Sequence, residues 1–244
     1  MHQFSVDDNQ IGKEYVTITG ADVNHIRNVL RMKIGEKIRI SSGNKDFFCS
    51  IAEVGPDFVQ ADILDEEAAR TELPSDIYLF QAIPKGDRME TVIEKAVELG
   101  VHEIIPVAMK YCVVKLDEKK ADAKIKRWQG IAEAAAKQSK RGVIPTVAPV
   151  MSYVQAVKTA SEMDLKLVPY ELAEGMPQTK QLIESARPGQ QIAIFIGPEG
   201  GFDPEEIRLA TEAGIQPITL GKRILRTETA GFTTIAWLMY QLEN

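Results

Sequence analysis

The sequence predicts an α/β protein with two domains, a small β-barrel followed by a larger domain built on a parallel sheet. Residues 1–72 read mostly as short alternating strands separated by turn residues. From Ile77 onward strands alternate with helices, which is the pattern of a parallel sheet covered on both faces. Near the C-terminus, two strands end in glycine loops that lead into helices. Such loops indicate a ligand site at the carboxyl edge of the sheet.

The first domain, residues 1–72, is predicted from apolar-polar alternation. A helical piece, Ala21–Leu30, interrupts the strands, and the charged segment Asp65–Ser75, with Pro74 near its end, reads as a linker. Short strands at this spacing are typical of a small barrel. The predicted strands are Tyr15–Thr19, Lys37–Ser41, Phe47–Val54 and Asp57–Leu64.

The second domain, residues 76–244, is predicted from alternating apolar runs and amphipathic segments. Asp203 is placed as a helix N-cap, followed by Pro204 as the first helical residue. The predicted strands are Ile77–Ala82, Ile104–Ala108, Leu165–Val168, Ile192–Ile196 and Ile218–Leu220. The predicted helices are Arg88–Leu99, Lys119–Ser139, Ser152–Ala160, Thr179–Ala186, one from Pro204, and Phe232–Leu242.

Composition narrows the class of protein. The chain has 244 residues, 44% of them hydrophobic, and a formal net charge of −6. The charge is unevenly spread, since residues 20–45 hold six Lys/Arg against two Asp/Glu, and residues 110–141 hold ten against four. Local basic patches on an acidic protein can bind phosphates, although such runs are also common on solvated helix faces. The distant Cys49 and Cys112 argue against a metal site or a disulfide framework.

No signal peptide or membrane span is visible in the sequence, so cytoplasm is the expected compartment.

Two loops near the C-terminus carry the residues that suggest chemistry. The first, Gly197–Gly201, has three glycines in five residues and follows an apolar strand. The second, Gly221–Thr229, crowds arginine, threonine and glutamate between an apolar strand and an apolar helix. Neither loop fits the dinucleotide fingerprint or the P-loop. A purely structural reading stays open, with Thr227 or Thr229 as a helix cap and the arginines as solvated surface.

These two loops, together with segments elsewhere in the chain, resemble the SPOUT methyltransferases, whose C-terminal chain forms a trefoil knot. The similarity is greatest to the ribosomal RNA small subunit methyltransferase E family, the 16S ribosomal RNA uridine-N3 methyltransferases. It covers essentially the whole chain. The segments that carry it are Ile196–Phe202, Leu220–Ala230, His25–Arg31, Lys85–Glu90, Lys95–Val101, Arg127–Trp128 and Glu133–Arg141.

The resemblance implies that S-adenosylmethionine binds in the loops of the second domain and that no metal is needed. Apolar side chains and backbone amide groups of these loops suit the adenine ring. The implied cofactor-binding residues are Glu171, Ile196, Gly197, Pro198, Glu199, Gly200, Gly201, Leu220, Gly221, Arg223, Ile224, Leu225, Thr227, Thr229 and Ala230.

The resemblance also implies catalytic and RNA-binding residues. Arg226 is expected to stabilise an anion on the uridine and Glu228 to act as a base, while a capping role for Glu228 stays open. The first domain resembles a PUA-like fold that binds RNA. The implied RNA-binding residues are His25, Arg27, Arg31, Lys33, Gln138 and Arg141.

The resemblance also implies a partner chain, although this sequence differs from the family pattern at one place. The helix Phe232–Leu242 is apolar on more than one face, so a homodimer is implied. The family often has Arg-Ser where this chain has Tyr111-Cys112, which bears on whether that loop contacts RNA.

Two other functions stay open. One rival is a non-catalytic RNA-binding or ribosome-assembly factor with the same fold. The other is a nucleotide-dependent α/β enzyme, disfavoured because both phosphate fingerprints are missing.

Overall fold

The computed structural model of the chain describes residues 1–42, 45–68, 71–173 and 175–243. These residues form two compact units, each described by itself. Unit 1 comprises residues 1–72 together with 136–144, and unit 2 comprises residues 73–135 together with 145–244. Both units are therefore discontinuous along the chain. The domain limits of 1–72 and 76–244 stay a prediction.

Unit 1 is built on one five-stranded sheet with the strand order β1-β3-β4-β5-β2. β1 pairs parallel to β3, and the other neighbours pair antiparallel. Among the described residues the two edge strands, β1 and β2, do not pair with each other. The strands are β1 His2–Ser5, β2 Tyr15–Thr19, β3 Lys37–Ser42, β4 Lys45–Val54 and β5 Phe58–Ala68.

The alternation read from the sequence places the core of unit 1 on one face of this sheet. In β2, Val16 and Ile18 are fully buried while Tyr15 is exposed. β3 contributes Ile38 and Ile40 to the same core. Burial of such side chains on one sheet face stabilises the unit by the hydrophobic effect and fixes the strand register.

The predicted helical piece over 21–30 is present as one α-helical turn, α1 (Ala21–Asn24), followed by a π-helical turn over His25–Val29. Two other expectations for unit 1 need correction. The parallel strand β1 has no counterpart in the prediction. The predicted linker from Asp65 begins instead as the end of β5, and residues 69 and 70 of that linker lie outside the described part of the chain.

Unit 2 is built on a parallel sheet with the order β12-β10-β11-β6-β7-β8, and β9 also pairs with β7. The strands are β6 Asp76–Ala82, β7 Glu103–Ala108, β8 Thr146–Val147, β9 Met151–Ser152, β10 Leu165–Pro169, β11 Gln191–Ile196 and β12 Gln216–Ile218. The helices are α2 Arg88–Glu98, α3 Glu118–Ser139, of which residues 136–139 belong to unit 1, α4 Tyr153–Ala160, α5 Met176–Glu184, α6 Pro204–Glu212 and α7 Thr227–Leu242.

The core of unit 2 lies along its central strands, β6 and β11. Residues 192–195 and most of β6 are fully buried, as expected for strands covered on both faces. The rings of Phe80 and Phe195 stack with centroids 4.5 Å apart. The sequence-based class, an α/β fold with a parallel sheet, is therefore confirmed. The trefoil knot concerns how the chain is threaded and stays a prediction.

Within the described residues, no helix has the length and hydropathy that a bilayer crossing requires.

Candidate functional site

The candidate site of unit 2 lies at the carboxyl edge of the parallel sheet. Strands β10, β11 and β12 run side by side in parallel, so the loops that follow them leave from the same edge. These loops border a cavity of about 320 Å³ and an adjoining one of about 80 Å³. Both cavities are lined by Pro169, Glu171, Ile224, Leu225 and Ala230. Three loops thus form one continuous site.

The loop after β11 needs glycine at its first position because Phe202 packs against it. A Cβ on Gly197 would lie 2.9 Å from the Phe202 ring, closer than real Cβ contacts allow. Phe202 is 7% exposed and lines the larger cavity. The loop therefore folds back on itself, with its backbone open to the cavity.

A chain of hydrogen bonds ties this loop to the start of α7. The Nε2 of Gln81, a fully buried residue of β6, donates to Thr227 Oγ1 at 2.9 Å. Thr227 Oγ1 in turn donates to the carbonyl oxygen of Gly197 at 2.7 Å. Buried polar groups with such partners fix local geometry. Gln81 positions the start of α7, and the sequence patterns did not reveal it, because an isolated glutamine in an apolar strand gives no motif.

The carboxylate of Glu199 accepts hydrogen bonds from the loop after β6 and from the first residue of α2. Glu199 Oε1 accepts hydrogen bonds from the Lys85 backbone N–H at 3.0 Å and from Arg88 Nη1 at 2.7 Å. Burial acts to raise the pKa of Glu199, but these donors and its own N–H outweigh burial, so the pKa lies below its usual value. Arg88 also lines the cavity and was missed by the sequence patterns.

Asp203 anchors the far end of the same loop. Its side chain accepts from the Glu205 backbone N–H, as an N-cap should, and from the hydroxyl of Tyr111 at 2.8 Å. Lys110 Nζ lies 2.6 Å from the same carboxylate. Lys110, then the Glu205 N–H and Tyr111, lower the pKa of Asp203 to about 2.

Tyr111, the departure from the family pattern, supports the glycine turn directly. A Cβ on Gly200 would lie 3.1 Å from the Cβ of Tyr111. The structure therefore gives Tyr111 a packing role against the loop.

The loop after β12 is fixed by α5 and not by strand pairing. The Thr219 N–H donates to Thr179 Oγ1 at 3.0 Å, so β12 ends at Ile218 and the predicted extension to Leu220 is wrong. Gly221 has φ +100°, a conformation that side chains rarely adopt, which explains the glycine at this turn. The loop after β10 meets the glycine loop at Glu171, whose Oε1 would lie 3.1 Å from a Cβ on Gly201.

Most of the implied cofactor residues line the two cavities. Gly200 and Thr229 do not, because Gly200 faces Tyr111 and Thr229 lies inside the first turn of α7. The lining residues that the resemblance implied are Glu171, Ile196, Gly197, Pro198, Glu199, Gly201, Leu220, Gly221, Arg223, Ile224, Leu225, Thr227 and Ala230.

The two implied catalytic residues have different environments. Arg226 occupies the N-cap position of α7, is exposed and lines the larger cavity. Glu228 lies in the first turn of α7 and does not line either cavity. Its Oε2 is buried and has no hydrogen-bond partner among the described atoms. Such an oxygen is an acceptor left open for a donor.

The implied RNA-binding residues all belong to unit 1. His25, Arg27, Arg31, Lys33 and Gln138 are exposed.

Arg141, also in unit 1, is 5% exposed, and its Nε donates to Glu72 Oε2 at 3.1 Å. This environment argues against the phosphate contact expected of Arg141, because its guanidinium is buried in an ion pair. The sequence could not show this, since the two partners are 69 residues apart.

In the part of the chain that the structure describes, no group of three or more His, Cys, Asp or Glu side chains is arranged to hold a metal ion.

Comparison with known proteins finds a matching family for each of two parts of the chain. Residues 71–239 match the RNA methyltransferase domain family, and residues 18–64 match the RNA methyltransferase PUA domain family. Among curated proteins, the Ribosomal RNA small subunit methyltransferase E of Bacillus subtilis (strain 168) is 37% identical over 233 residues, which are 93% of this chain and 90% of the relative. The protein of the same name from Mesomycoplasma hyopneumoniae (strain 232) is 35% identical, covering 94% and 95% of the two chains.

A solved structure is also similar over nearly the full length. It is a Ribosomal RNA small subunit methyltransferase E from Neisseria gonorrhoeae bound to S-adenosyl methionine. Its TM-score is 0.80 at 34% sequence identity, and the match covers 97% of this chain and 95% of that chain.

Proposed function

Because the chain belongs to the RNA methyltransferase family that includes the proteins named ribosomal RNA small subunit methyltransferase E, we propose that it methylates small-subunit ribosomal RNA with S-adenosylmethionine as donor. The single observation that carries this proposal is the three-loop site, since a protein that only bound RNA would not need it. The finer assignment, N3 of a uridine in 16S ribosomal RNA, follows the resemblance.

The cavity residues fit this cofactor. S-adenosylmethionine combines an adenine ring with a sulfonium and an ammonium group, and when bound it supplies a methyl group on the sulfonium. Ile196, Ile224 and Leu225 provide apolar walls for the ring. Glu171 provides a carboxylate on the same wall for a cationic group. Gly197 and Gly201 line the cavity without side chains, so the backbone can approach the ligand closely there.

The protein must also prepare the uridine base for attack. N3 of uridine carries a proton, so the base becomes nucleophilic only when that proton leaves and the anion is stabilised. Arg226, an exposed cation at the cavity wall, is assigned to stabilise the anion. Glu228 is assigned to accept the proton, and its buried, unpaired Oε2 lies in the same turn, although Glu228 lines neither cavity in the described structure.

The chain arrangement around Gln81 supports both assignments. Gln81 and Thr227 fix the first turn of α7 to the carbonyl of Gly197. Arg226 and Glu228 flank Thr227, so their backbone position is set by the same hydrogen bonds. Preorganised charges of this kind lower a barrier without reorganising during the reaction.

We assign the protein to the cytoplasm, where its proposed RNA substrate is made, and we propose that it acts as a homodimer. A stripe of α7 side chains, Phe232, Ala236 and Tyr240, is spaced four residues apart and is left half-buried or exposed by its own chain. A second copy of the chain is expected to cover this stripe.

The function is tested by mass mapping of small-subunit RNA from cells with and without the gene product. We expect one methylated uridine to disappear when the protein is absent. An unchanged map would favour the rival, an RNA-binding assembly factor. Binding of S-adenosylmethionine to the purified protein separates the two directly, since only the enzyme requires it.

A further inference from the structure

Backbone conformation singles out two basic residues in unit 1. Among the described residues, positive φ angles occur at nine glycines and at only two other residues, Arg31 (φ 53°) and Lys140 (φ 61°). Side chains are disfavoured there because Cβ crowds the backbone, which is why glycine is the usual choice. Both exceptions are cations, and both belong to unit 1.

Each of them is the left-handed residue that follows a helical segment. Around Lys140, the Arg141 N–H donates to the Ala136 carbonyl five residues back at 3.0 Å, which is the bond of a helix C-terminus closed by a left-handed residue. Around Arg31, the Met32 N–H donates to the Ile26 carbonyl six residues back at 3.0 Å, after the π turn.

Unit 2 closes two of its helices with the same motif and uses glycine each time. At the end of α2 the left-handed residue is Gly100, with φ 91° and a bond from Val101 N–H to Ala96. At the end of α6 it is Gly214, with φ 79° and a bond from Ile215 N–H to Ala210. Among the residues that the structure describes, a side chain thus occupies a left-handed position only where that side chain is a cation. Strain retained at a specific position points to a functional demand.

Lys140 lies on the wall of a cavity of about 260 Å³ within unit 1. The charges on that wall are mostly compensated. Lys137 lies 3.5 Å from Asp22, and Arg141 is paired with Glu72. Among the described residues, no carboxylate lies within ion-pair distance of Lys140. The remaining lining residues are His2, Gln3, Phe4, Ser5, His25 and Leu30.

The backbone of Lys140 is also held by a hydrogen bond from a neighbouring side chain. Gln3 Nε2 donates to the Lys140 carbonyl at 3.0 Å and to Ser41 Oγ at 2.8 Å, which joins the end of α3 to β1 and β3. An uncompensated ammonium group on a fixed backbone beside an open cavity is suited to binding an anion.

We propose that Lys140 and this cavity bind a phosphate group of the RNA strand, with Arg31 as a second phosphate contact. The inference rests on the proposed function, because that function supplies RNA as the anion. Lys140 thus takes the phosphate contact that was expected of its neighbour Arg141, whose charge is already paired with Glu72. Lysine stands in a glycine position because its charge contributes to RNA binding at a cost in fold stability.

The test is the variant Lys140→Gly, which removes the charge and relieves the backbone together. RNA binding is measured by fluorescence anisotropy with a small-subunit ribosomal RNA fragment between 50 and 200 mM KCl. Losing one phosphate contact lowers the salt slope by about 0.7–0.9, so the affinity lost over this range should be about threefold smaller than for wild type. The melting temperature should stay the same or rise by about 2–4 °C.

Three matched variants complete the design. Lys140→Arg keeps the charge and should keep the wild-type salt slope. Gly214→Lys places lysine at the equivalent helix end of unit 2, where a Cβ meets nothing closer than 3.8 Å. It should lower the melting temperature and leave RNA binding unchanged. Lys158→Gln removes an exposed charge near the end of α4 and should also leave RNA binding unchanged.

The outcomes test the proposed function and this inference separately. Wild-type protein that fails to bind the RNA would overturn the proposed function and this inference with it. Wild-type binding with the same affinity and slope in Lys140→Gly would overturn the inference alone. An equal effect of Lys158→Gln would also overturn it, because bulk charge would then explain the loss. A parallel loss in Arg31→Gly would support the second contact.

Discussion

At the scale of single residues, Gly197 links the sequence motif to the site through one contact. Its own φ is not in the left-handed region, so the constraint is the approach of the Phe202 ring and not the backbone angle. At Gly221 the reverse holds, since φ is +100° and the nearest atom to a Cβ is 3.9 Å away. The two glycines are therefore required for different physical reasons.

We expect Gly197→Val to reduce the affinity for S-adenosylmethionine at least about tenfold, because the added side chain displaces Phe202 from the cavity wall. Isothermal calorimetry measures the affinity, and circular dichroism checks that the variant is folded. Gly130→Ala is the matched control, since a Cβ there meets nothing within 4 Å and helix α3 favours alanine. Wild-type affinity in the folded Gly197→Val protein would exclude the loop from the cofactor site.

The Asp203 carboxylate makes the stability of the fold sensitive to acid. Its pKa in the folded protein is about 2, below the value near 3.8 of a free aspartate. A lowered pKa means that the carboxylate stabilises the fold above about pH 4, and that this contribution is lost as the pH falls toward 2. Denaturation midpoints measured from pH 6 to pH 2 should therefore fall less steeply in Asp203→Asn than in wild type. Parallel curves would contradict the network with Lys110 and Tyr111.

Residues differ in how far the sequence reveals them. The glycines and Asp203 follow local rules of turns and caps, so their positions are predictable. Gln81 and the burial of Arg141 depend on partners 146 and 69 residues away, and no local pattern encodes those distances.

At the scale of elements, the strands with strict alternation or continuous apolar runs are predicted well. β2 matches its predicted limits, and β6 and β11 differ by one residue. The short strand β1 was missed because it pairs in parallel with β3, a long-range partner that periodicity cannot show. The helical piece after β2 was predicted, but the sequence pattern did not show that its second half is a π turn.

Helix α7 has buried side chains that belong to the core and a stripe of less buried side chains that forms the candidate dimer surface. Ile235 and Leu238 are fully buried, so they belong to the core and not to a surface that a second copy could cover. We expect Ala236→Glu with Tyr240→Lys to convert a dimer into a folded monomer, because both positions lie on the uncovered stripe.

Multi-angle light scattering at micromolar concentration measures the change in mass. Ile235→Glu serves as the contrast and should unfold the protein, since an unpaired charge buried in a core costs several kcal/mol (about 3 or more). A wild-type monomer, or a dimer that survives both surface substitutions, would contradict the proposed interface.

At the scale of the whole molecule, a net charge of −6 conceals two locally basic segments, residues 20–45 and residues 110–141. The first segment lies in unit 1, whereas the second is divided, because residues 110–135 belong to unit 2 and residues 136–141 to unit 1. Charge counts along the chain identify the segments, but only the fold shows that Lys137, Lys140 and Arg141 belong to the same compact unit as residues 1–72. The two units thus divide the proposed work, with RNA binding in one and the donor site in the other.

The most direct test of the account is methyl transfer by the purified protein. S-adenosylmethionine with a labelled methyl group is incubated with small-subunit ribosomal RNA, free or in the assembled subunit, and the digested RNA is analysed by mass spectrometry. We predict label at N3 of one uridine, lost in Gly197→Val and kept in the charge control Lys158→Gln. Absence of label from both forms of the RNA with wild-type protein, or undiminished label with Gly197→Val, would contradict the account.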